Sequence, residues 1–252
     1  MTLPRVSVSV PVTTLWTSPE APRSVDALAV ADTPDPKGWL AVLDACPGDN
    51  ENGDGRLGLH GRIHTQAVAG EPVQLLGTDA SGDWAQVLLP WQPSQLDPRG
   101  YPGWLRRAHL EQSDDGPERA PQPDAPAGTD VLDLAREHLG LPYLWGGMSA
   151  LGLDCSGLVH YVWRRFGVIV PRDADDQQTA AYPVALGDER PGDLYFFAHP
   201  GKGIHHVGIV SGRGRMLHAP ETGRLIVEEP LGPARESTLH SAGRLPWSGA
   251  RR

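Results

Sequence analysis

A proline-rich segment at residues 112–128 divides the chain, and it constrains the fold more than any other feature of the sequence. The segment contains four prolines, several acidic residues and no large apolar side chain. A stretch of this composition cannot bury a core, so it runs extended. The 252-residue chain is therefore predicted to hold a first domain over residues 1–111, a linker over 112–128 and a second domain over 129–252.

The first domain is predicted to consist of short strands. Residues 5–16 begin with valines that alternate with polar side chains, which predicts one strand. Four further apolar segments are separated by turn sequences, and they predict strands at residues 63–68, 72–76, 84–89 and 103–105. Strands of this length and spacing form a small barrel or sandwich, with Trp84 and Trp104 in its core.

Residues 50–61 match a calcium-binding loop only in part. Asn50 stands at the first position, where such loops carry Asp, and Gly61 stands at the twelfth, where they carry a bidentate Glu. Without that carboxylate the segment is better interpreted as a solvated turn. No metal site is predicted here.

Cys155 lies where a glycine-rich loop passes into a predicted helix. The residues after it place apolar side chains on one helical face, and Gly167 follows where the helix would end. Backbone N–H groups at a helix start favour negative charge, which stabilises a thiolate and favours Cys155 as a nucleophile. The alternative is a buried structural cysteine. Cys46 is the other cysteine of the chain, and reduced thiols are expected for both.

Two histidines are predicted to meet on one face of a hairpin. Residues 205–220 read as two strands joined by a turn centred on Gly212, which pairs His206 with His218. His205 is one residue out of phase and should point to the opposite face. A two-histidine metal site is the competing interpretation, but a third ligand on that face is missing, so no metal is predicted.

Residues 129–230 resemble the NlpC-type cysteine peptidases that cleave bacterial cell-wall peptides. The matching motifs, in chain order, are P-Y-L-W-G-G, L-D-C-S-G-L-V, P-R-D-A-D-D-Q, R-P-G-D-L-Y-F-F, H-V-G-I-V and L-H-A-P. The resemblance implies an α+β, papain-like domain with Cys155 as nucleophile, His206 as base and His218 as the group that orients the base. Leu153 and Ala174 depart from the family, which usually has an aromatic residue and often Ser at these places.

The first domain resembles a bacterial SH3-like β-barrel through the segments G-E-P-V-Q-L-L-G-T-D-A-S-G-D-W-A-Q-V and G-Y-P-G-W-L. The two domains together look like the γ-D-glutamyl-diamino-acid peptidases of wall-peptide recycling. In those enzymes the first domain closes one end of the cleft, so that only stems with a free N-terminal L-Ala fit. Asp154 is the expected carboxylate for that ammonium group.

Tyr101 is the expected contribution of the barrel to the cleft, although an ordinary surface tyrosine is equally compatible with the sequence. Relatives also place an acidic residue on the first-domain wall. Gln66 and Glu71 both stand near that place, and neither is assigned. Three further substrate contacts are expected in the second domain, at Ser156, Asp173 and Tyr143.

The resulting prediction is a cofactor-free cysteine endopeptidase that hydrolyses the γ-D-glutamyl–diamino acid bond of L-Ala-γ-D-Glu-diamino acid stems. An amidase or acyltransferase of the same fold, or an inactive wall-binding module, are the alternatives. A net charge of −9 gives no attraction to nucleic acid or to an anionic membrane. No leader and no long apolar stretch are evident, so the chain is expected to be cytoplasmic.

Overall fold

The structure is a computed structural model, and it describes residues 5–46, 50–113 and 128–245. The predicted linker at 112–128 lies almost wholly outside the described residues. The chain forms two compact units. The first takes the residues up to 113 together with 144–152, and the second takes 128–143 and the residues from 153 onward. The segment 144–152, expected in the second domain, is thus part of the first unit.

The first unit is an antiparallel sheet with two short helices. Its elements are β1 (Arg5–Val8), β2 (Val12–Trp16), α1 (Ala27–Val30), α2 (Pro36–Asp44), β3 (Ile63–Val68), β4 (Pro72–Thr78), β5 (Trp84–Leu89), β6 (Tyr101–Arg106) and β7 (Leu110–Ser113). The strand order is β3-β2-β6-β5-β4-β1-β7. The predicted strands at 63–68 and 84–89 are confirmed, and the other two are longer than predicted.

The single strand predicted over residues 5–16 is wrong, because the chain breaks into β1 and β2. β1 pairs with β4 and β7, whereas β2 pairs with β3 and β6. Pro11 lies in the break and has no N–H to offer a neighbouring strand. The valine alternation continues across the break, so the sequence pattern did not reveal that the chain moves to a different part of the sheet.

Residues 50–61 fold as turns held by an arginine. The Arg23 guanidinium donates to the carbonyl oxygens of Gly53 and Gly55, at 2.8 and 2.9 Å. It also pairs with the buried Asp26 carboxylate, which accepts a hydrogen bond from the Trp39 indole. The loop carbonyls thus bind a side-chain cation, and that cation is anchored to the apolar cluster around α2.

The second unit combines helices with a six-stranded sheet. From residue 128 the chain forms α3 (Gly128–Arg136), β8 (Met148–Ser149, which belongs to the first unit), β9 (Gly152–Leu153), α4 (Cys155–Arg165), α5 (Ala174–Ala180), β10 (Tyr182–Val184), β11 (Leu194–Ala198), β12 (Ile204–Gly212), β13 (Arg215–His218), β14 (Val227–Pro230), α6 (Pro233–Glu236) and β15 (Leu239–Arg244). The large sheet has the order β10-β15-β11-β12-β13-β14. Mixed helices and antiparallel strands confirm the predicted α+β class.

Helix α4 packs its apolar face on this sheet. Its buried side chains contribute to one core with residues of β11, β12 and β13, and the members include Leu158, Val159, Val162, Trp163, Phe196, Val207, Ile209 and Leu217. Gly167 ends the helix with φ of 71°, as predicted from its place after the apolar pattern. The core therefore fixes the start of α4, where Cys155 lies, against the strand that carries His206.

Residues 168–170 form no strand, although their β-branched side chains favour one. Their backbone closes the end of α4 instead: the Val168 N–H donates to the Trp163 carbonyl at 3.0 Å. The Val170 carbonyl accepts from the buried His160 ring at 2.8 Å. Both backbone groups are therefore bound to the helix.

The β12–β13 hairpin differs from its predicted register by two residues. Ile209 pairs with Leu217 and Gly212 with Arg215, across a two-residue turn in which Gly214 has φ of 63°. Extending this register sets Gly208, not His206, opposite His218. A shift of two residues keeps every side chain on its predicted face. His206 and His218 therefore still meet, as diagonal neighbours rather than a direct pair.

Candidate active site

Asp154 holds the first turn of α4 in place. Its carboxylate accepts a hydrogen bond from the Gly157 N–H at 2.6 Å, which caps the helix directly in front of Cys155. Arg172 binds the same carboxylate through two nitrogens, at 2.9 and 2.6 Å. The guanidinium also donates to the Ser156 hydroxyl at 3.0 Å. These residues are all buried, so the backbone that carries the thiol is rigidly supported.

Burial disfavours the charged form of the Cys155 thiol. It raises the pKa of Cys155 to about 12, and the nearby Asp154 carboxylate acts in the same direction. Hydrogen bonds from the backbone N–H groups of Val207 and Ser156 oppose this rise but do not cancel it. Desolvation therefore outweighs the helix start, which on its own favours a thiolate. The thiol needs a base to become a nucleophile.

His206, His218 and Glu229 form a chain of hydrogen bonds that supplies this base. His206 Nε2 lies 2.8 Å from His218 Nδ1, and His218 Nε2 lies 3.1 Å from the Glu229 carboxylate. Burial lowers the pKa of His206 well below 6.5, and the positive charge of Arg235 lowers it further. Burial also lowers the pKa of His218 to about 4, against the opposing effect of its bond to Glu229. Both imidazoles are neutral near pH 7.

The tautomers of both imidazole rings follow from the Glu229 carboxylate, which ends this series of hydrogen bonds. A carboxylate only accepts, so His218 Nε2 must carry the proton that it shares with Glu229. Neutral His218 then has an unprotonated Nδ1, which accepts from His206 Nε2–H. His206 is left with a lone pair on Nδ1. A neutral imidazole nitrogen of this kind can act as a base, and His206 lines the same cavity as Cys155.

His205 does not follow the simple alternation that was predicted for it. Phe197 pairs with His206 and Ala198 with Ile204, so His205 is the unpaired residue of a β-bulge. Its exposed ring stacks on His199 with centroids 4.6 Å apart. The bulge turns His205 to the rim of the cavity that contains Cys155, rather than to the opposite face of the sheet.

A cavity of about 540 Å³ opens at the cysteine and the histidines. Cys155, His206 and Tyr143 line it together, with charged side chains that include Arg224, Arg235, Glu221 and Glu229. Burial raises the pKa of Tyr143 well above its usual value, so its hydroxyl stays protonated. A cavity of this size with convergent polar groups suits a short, charged peptide.

The predicted substrate contacts of the second unit differ in their positions. Tyr143 lines the cavity, as expected. Ser156 is buried and bonded to Arg172, and its carbonyl accepts from Gln177 at 2.9 Å. Asp173 is the residue that precedes α5, with extended backbone geometry. Ser156 and Asp173 stay predicted substrate contacts.

The residues expected from the first domain lie in the first unit. Tyr101 is buried at the start of β6, and its ring contacts His64 at a centroid distance of 5.3 Å. The buried Gln66 side chain accepts from the Met148 N–H at 3.1 Å. The buried Glu71 carboxylate accepts from the Gln92 amide at 2.8 Å. Gln66 therefore anchors the segment 144–152 within this unit, whereas Glu71 is bound inside it.

Sequence reasoning missed Glu229 and Arg172. Arg172 stands in the P-R-D motif, so its position beside Asp154 could have been suspected. Glu229 faces His218 because β14 pairs with β13, where His218 lies opposite Val227 and Met216 opposite Glu229. The eight residues between these strands hide that register in the sequence, and a pair of adjacent glutamates gives no other signal.

Within the described residues, no cluster of three or more His, Cys, Asp and Glu side chains could hold a metal ion. No helix in the same part of the chain is long and apolar enough to cross a membrane.

Known proteins are similar to this chain in both sequence and fold. Residues 140–244 match the NlpC/P60 family. A γ-D-glutamyl-L-lysine dipeptidyl-peptidase of Bacillus subtilis (strain 168) is 35% identical, over 85% of this chain and 90% of its own length. A protein of the same name from Bacillus cereus (strain ATCC 10987 / NRS 248) is 26% identical, over 89% and 85%. The crystal structure of an NlpC/P60 family protein from Bacillus cereus ATCC 10987 superposes with a TM-score of 0.84 and 25% identity, covering 96% of this chain and all of that one.

Proposed function

This chain belongs to the NlpC/P60 family, and from that membership we propose that it is a cysteine peptidase of bacterial cell-wall stem peptides. The bond cleaved is the one between D-Glu and the diamino acid in L-Ala-γ-D-Glu-diamino acid. The observation that carries this proposal is the relative named γ-D-glutamyl-L-lysine dipeptidyl-peptidase, which is similar over nearly its whole length. The Cys155–His206–His218 site supports the same chemistry.

The first half of the reaction forms a thioester. His206 takes the Cys155 proton at Nδ1, and the sulfur attacks the γ-carbonyl carbon of D-Glu. The carbonyl oxygen becomes an oxyanion, which the backbone N–H of Cys155 at the start of α4 helps to stabilise. When this intermediate collapses, the C–N bond breaks and His206 protonates the departing amine of the diamino acid.

The second half hydrolyses the thioester. His206 takes a proton from water, the hydroxide attacks the thioester carbonyl, and the thiol is regenerated as L-Ala-γ-D-Glu leaves. Each half passes through a protonated His206. His218 and Glu229 support that state, since His206 Nε2–H already donates along the chain to a carboxylate.

The proposal includes selectivity for a free N-terminal L-Ala, with Asp154 and Tyr101 as predicted contacts. An ammonium group that loses its hydration needs an anionic partner, and a neutral, acetylated terminus would leave that partner unpaired. Arg172 already neutralises much of the Asp154 charge. The ammonium would therefore share this carboxylate with the guanidinium.

Two finer assignments belong to the same proposal. We assign the sheet of the first unit to an SH3-like barrel, supported by its short antiparallel strands and the turns between them. We also assign the chain to the cytoplasm, where thiols stay reduced. Cys46 and Cys155 are both free thiols, and the mechanism requires one of them to remain so.

The test is mass spectrometry of the products from L-Ala-γ-D-Glu-L-Lys incubated with the full-length chain. The expected products are L-Ala-γ-D-Glu and free L-Lys, with no turnover by the Cys155→Ala variant. Release of L-Ala, or an active Cys155→Ala protein, would refute the proposal. The N-acetylated tripeptide should be cleaved far more slowly, and equal kcat/KM for both peptides would refute the selectivity alone.

A further inference from the structure

Arg235 is a half-buried cation in the catalytic cavity. It lies in α6 and lines the cavity together with Cys155 and His206. Its guanidinium carbon lies 5.7 Å from the ring centroid of Phe197. Within the described parts of the chain, no Asp or Glu forms an ion pair with Arg235.

Two other arginines of the second unit, the buried Arg172 and the half-buried Arg244, are paired with carboxylates. Arg172 binds Asp154 and Arg244 binds Asp193, each through two nitrogens. A guanidinium that loses water without gaining an anion is unfavourable, and its flat fork matches a carboxylate. Arg235 is held in place instead by the face of Phe197. Its donors are therefore left for a ligand that enters the cavity.

The positive charge of Arg235 opposes protonation of His206 unless an anion binds to Arg235. Phe197 touches Arg235 and also contacts the His206 ring, at a centroid distance of 5.6 Å. The guanidinium charge lowers the pKa of His206, His218 and His205. It thus disfavours the protonated His206 that both halves of the reaction need. A substrate anion bound at Arg235 would offset this repulsion.

We propose that Arg235 binds a carboxylate of the substrate and so selects peptides that carry a free acid next to the scissile bond. This inference rests on the proposed function for the identity of the peptide. Two carboxylates qualify: the α-carboxylate of D-Glu, which the γ-linkage leaves free, and the carboxylate of the diamino acid. Both offer the same chemistry to a guanidinium, and amidation of one at a time distinguishes them.

Binding is the primary measurement, because it does not depend on turnover. Calorimetry would compare Cys155→Ala with Cys155→Ala/Arg235→Met, both as full-length protein. The three ligands are L-Ala-γ-D-Glu-L-Lys, the same peptide with D-isoglutamine in place of D-Glu, and the same peptide with a C-terminal amide. We expect Arg235→Met to weaken binding of the unmodified peptide at least tenfold. The loss of affinity should be less than threefold for the one amide that lacks the carboxylate bound by Arg235.

Turnover gives a second measurement, expressed as the ratio of kcat/KM for the acid to kcat/KM for the amide. Both substrates meet the same enzyme, so any change in histidine pKa caused by Arg235→Met cancels in this ratio. Arg235→Lys keeps the charge without the fork and should retain part of the preference. Arg213→Met, in the exposed β12–β13 turn, is the matched control and should leave the ratio unchanged.

The outcomes separate the inference from the proposed function. If the wild-type chain does not cleave the tripeptide but Arg235 still governs binding of the acid, the function fails and the inference stands. An equal loss for all three ligands would mean that Arg235 acts only through the histidines, and it would overturn the inference. No loss on Arg235→Met, or no binding of any of the peptides, would overturn it as well.

Discussion

Glu229 binds His218 through the ring nitrogen that faces away from His206, at 3.1 Å. This contact determines which nitrogen of each histidine carries a proton, because the carboxylate can only accept. It makes Glu229 a positioning residue for His206, although it does not touch the thiol. The carboxylate also raises the pKa of His218, against the effect of burial.

The first prediction is that Glu229→Gln lowers kcat/KM about tenfold, the size expected for one charge-assisted hydrogen bond at a partly exposed site. A glutamine can rotate and offer an N–H, which would stabilise the wrong His218 tautomer. Glu228→Gln is the matched control, because Glu228 is the adjacent residue of β14 and pairs with Arg136 instead. Equal rates for the two variants would remove Glu229 from the mechanism. The acid limb of the pH–rate profile should also move for Glu229→Gln, which a purely structural role would not cause.

The second prediction contrasts two adjacent histidines. His206→Ala should reduce kcat to the level of Cys155→Ala, because a thiol with a pKa of about 12 has no other base to deprotonate it. His205→Ala should cost less than about tenfold, since the bulge places its ring on His199 at the cavity rim. His218→Ala should fall between the two. Steady-state kinetics on the tripeptide decide the order, and comparable losses at His205 and His206 would contradict it.

The positions of the proposed catalytic residues could be predicted because their pattern is local in the sequence. Cys155 stands at a loop–helix junction, and a hairpin pattern brings His206 and His218 to one face whether the turn is centred on Gly212 or one residue later. The face depends only on the parity of the spacing, which a two-residue error preserves. The bulge at His205 breaks that parity, and nothing in the composition of β12 indicates it.

The charged surroundings of the site were much harder to predict. Glu229 and Arg235 reach the cavity through strand pairing and a four-residue helix, and neither belongs to a motif. The effect of burial on the pKa of Cys155 was also not evident from the sequence. A helix start favours a thiolate, but the degree of burial decides the pKa, and burial depends on packing that a local pattern does not contain.

The third prediction concerns the pH dependence of kcat/KM. His206 must be neutral to accept the thiol proton, and burial lowers its pKa well below 6.5. A depressed pKa keeps the base neutral at lower pH, so kcat/KM should stay constant from about pH 8 down to about pH 6.5 and fall only below that. Initial rates in buffers of constant ionic strength would show this. An acid limb centred at or above pH 6.5 would mean that His206 is not desolvated in the working enzyme.

The last prediction concerns the ion pair that supports the nucleophile. Arg172 and Asp154 are both buried, and the guanidinium binds the carboxylate through two nitrogens. Arg172→Met leaves Asp154 charged and partnerless on that side, which should lower the free energy of unfolding by about 3 to 5 kcal/mol. Arg136→Met removes a pair with Glu228 at a partly exposed site and should cost at most about 1 kcal/mol. Urea unfolding of the two variants, followed by far-ultraviolet circular dichroism, gives the comparison.

A double variant shows whether the loss comes from the unpaired charge. Arg172→Met with Asp154→Asn removes both charges, so it should be less destabilised than Arg172→Met alone. The Asn side chain can still cap α4 by accepting from the Gly157 N–H. If the double variant unfolds at the same or lower urea concentration than Arg172→Met alone, the pair stabilises α4 through packing rather than charge. In that case the rigid start of the helix would not depend on the Asp154 carboxylate.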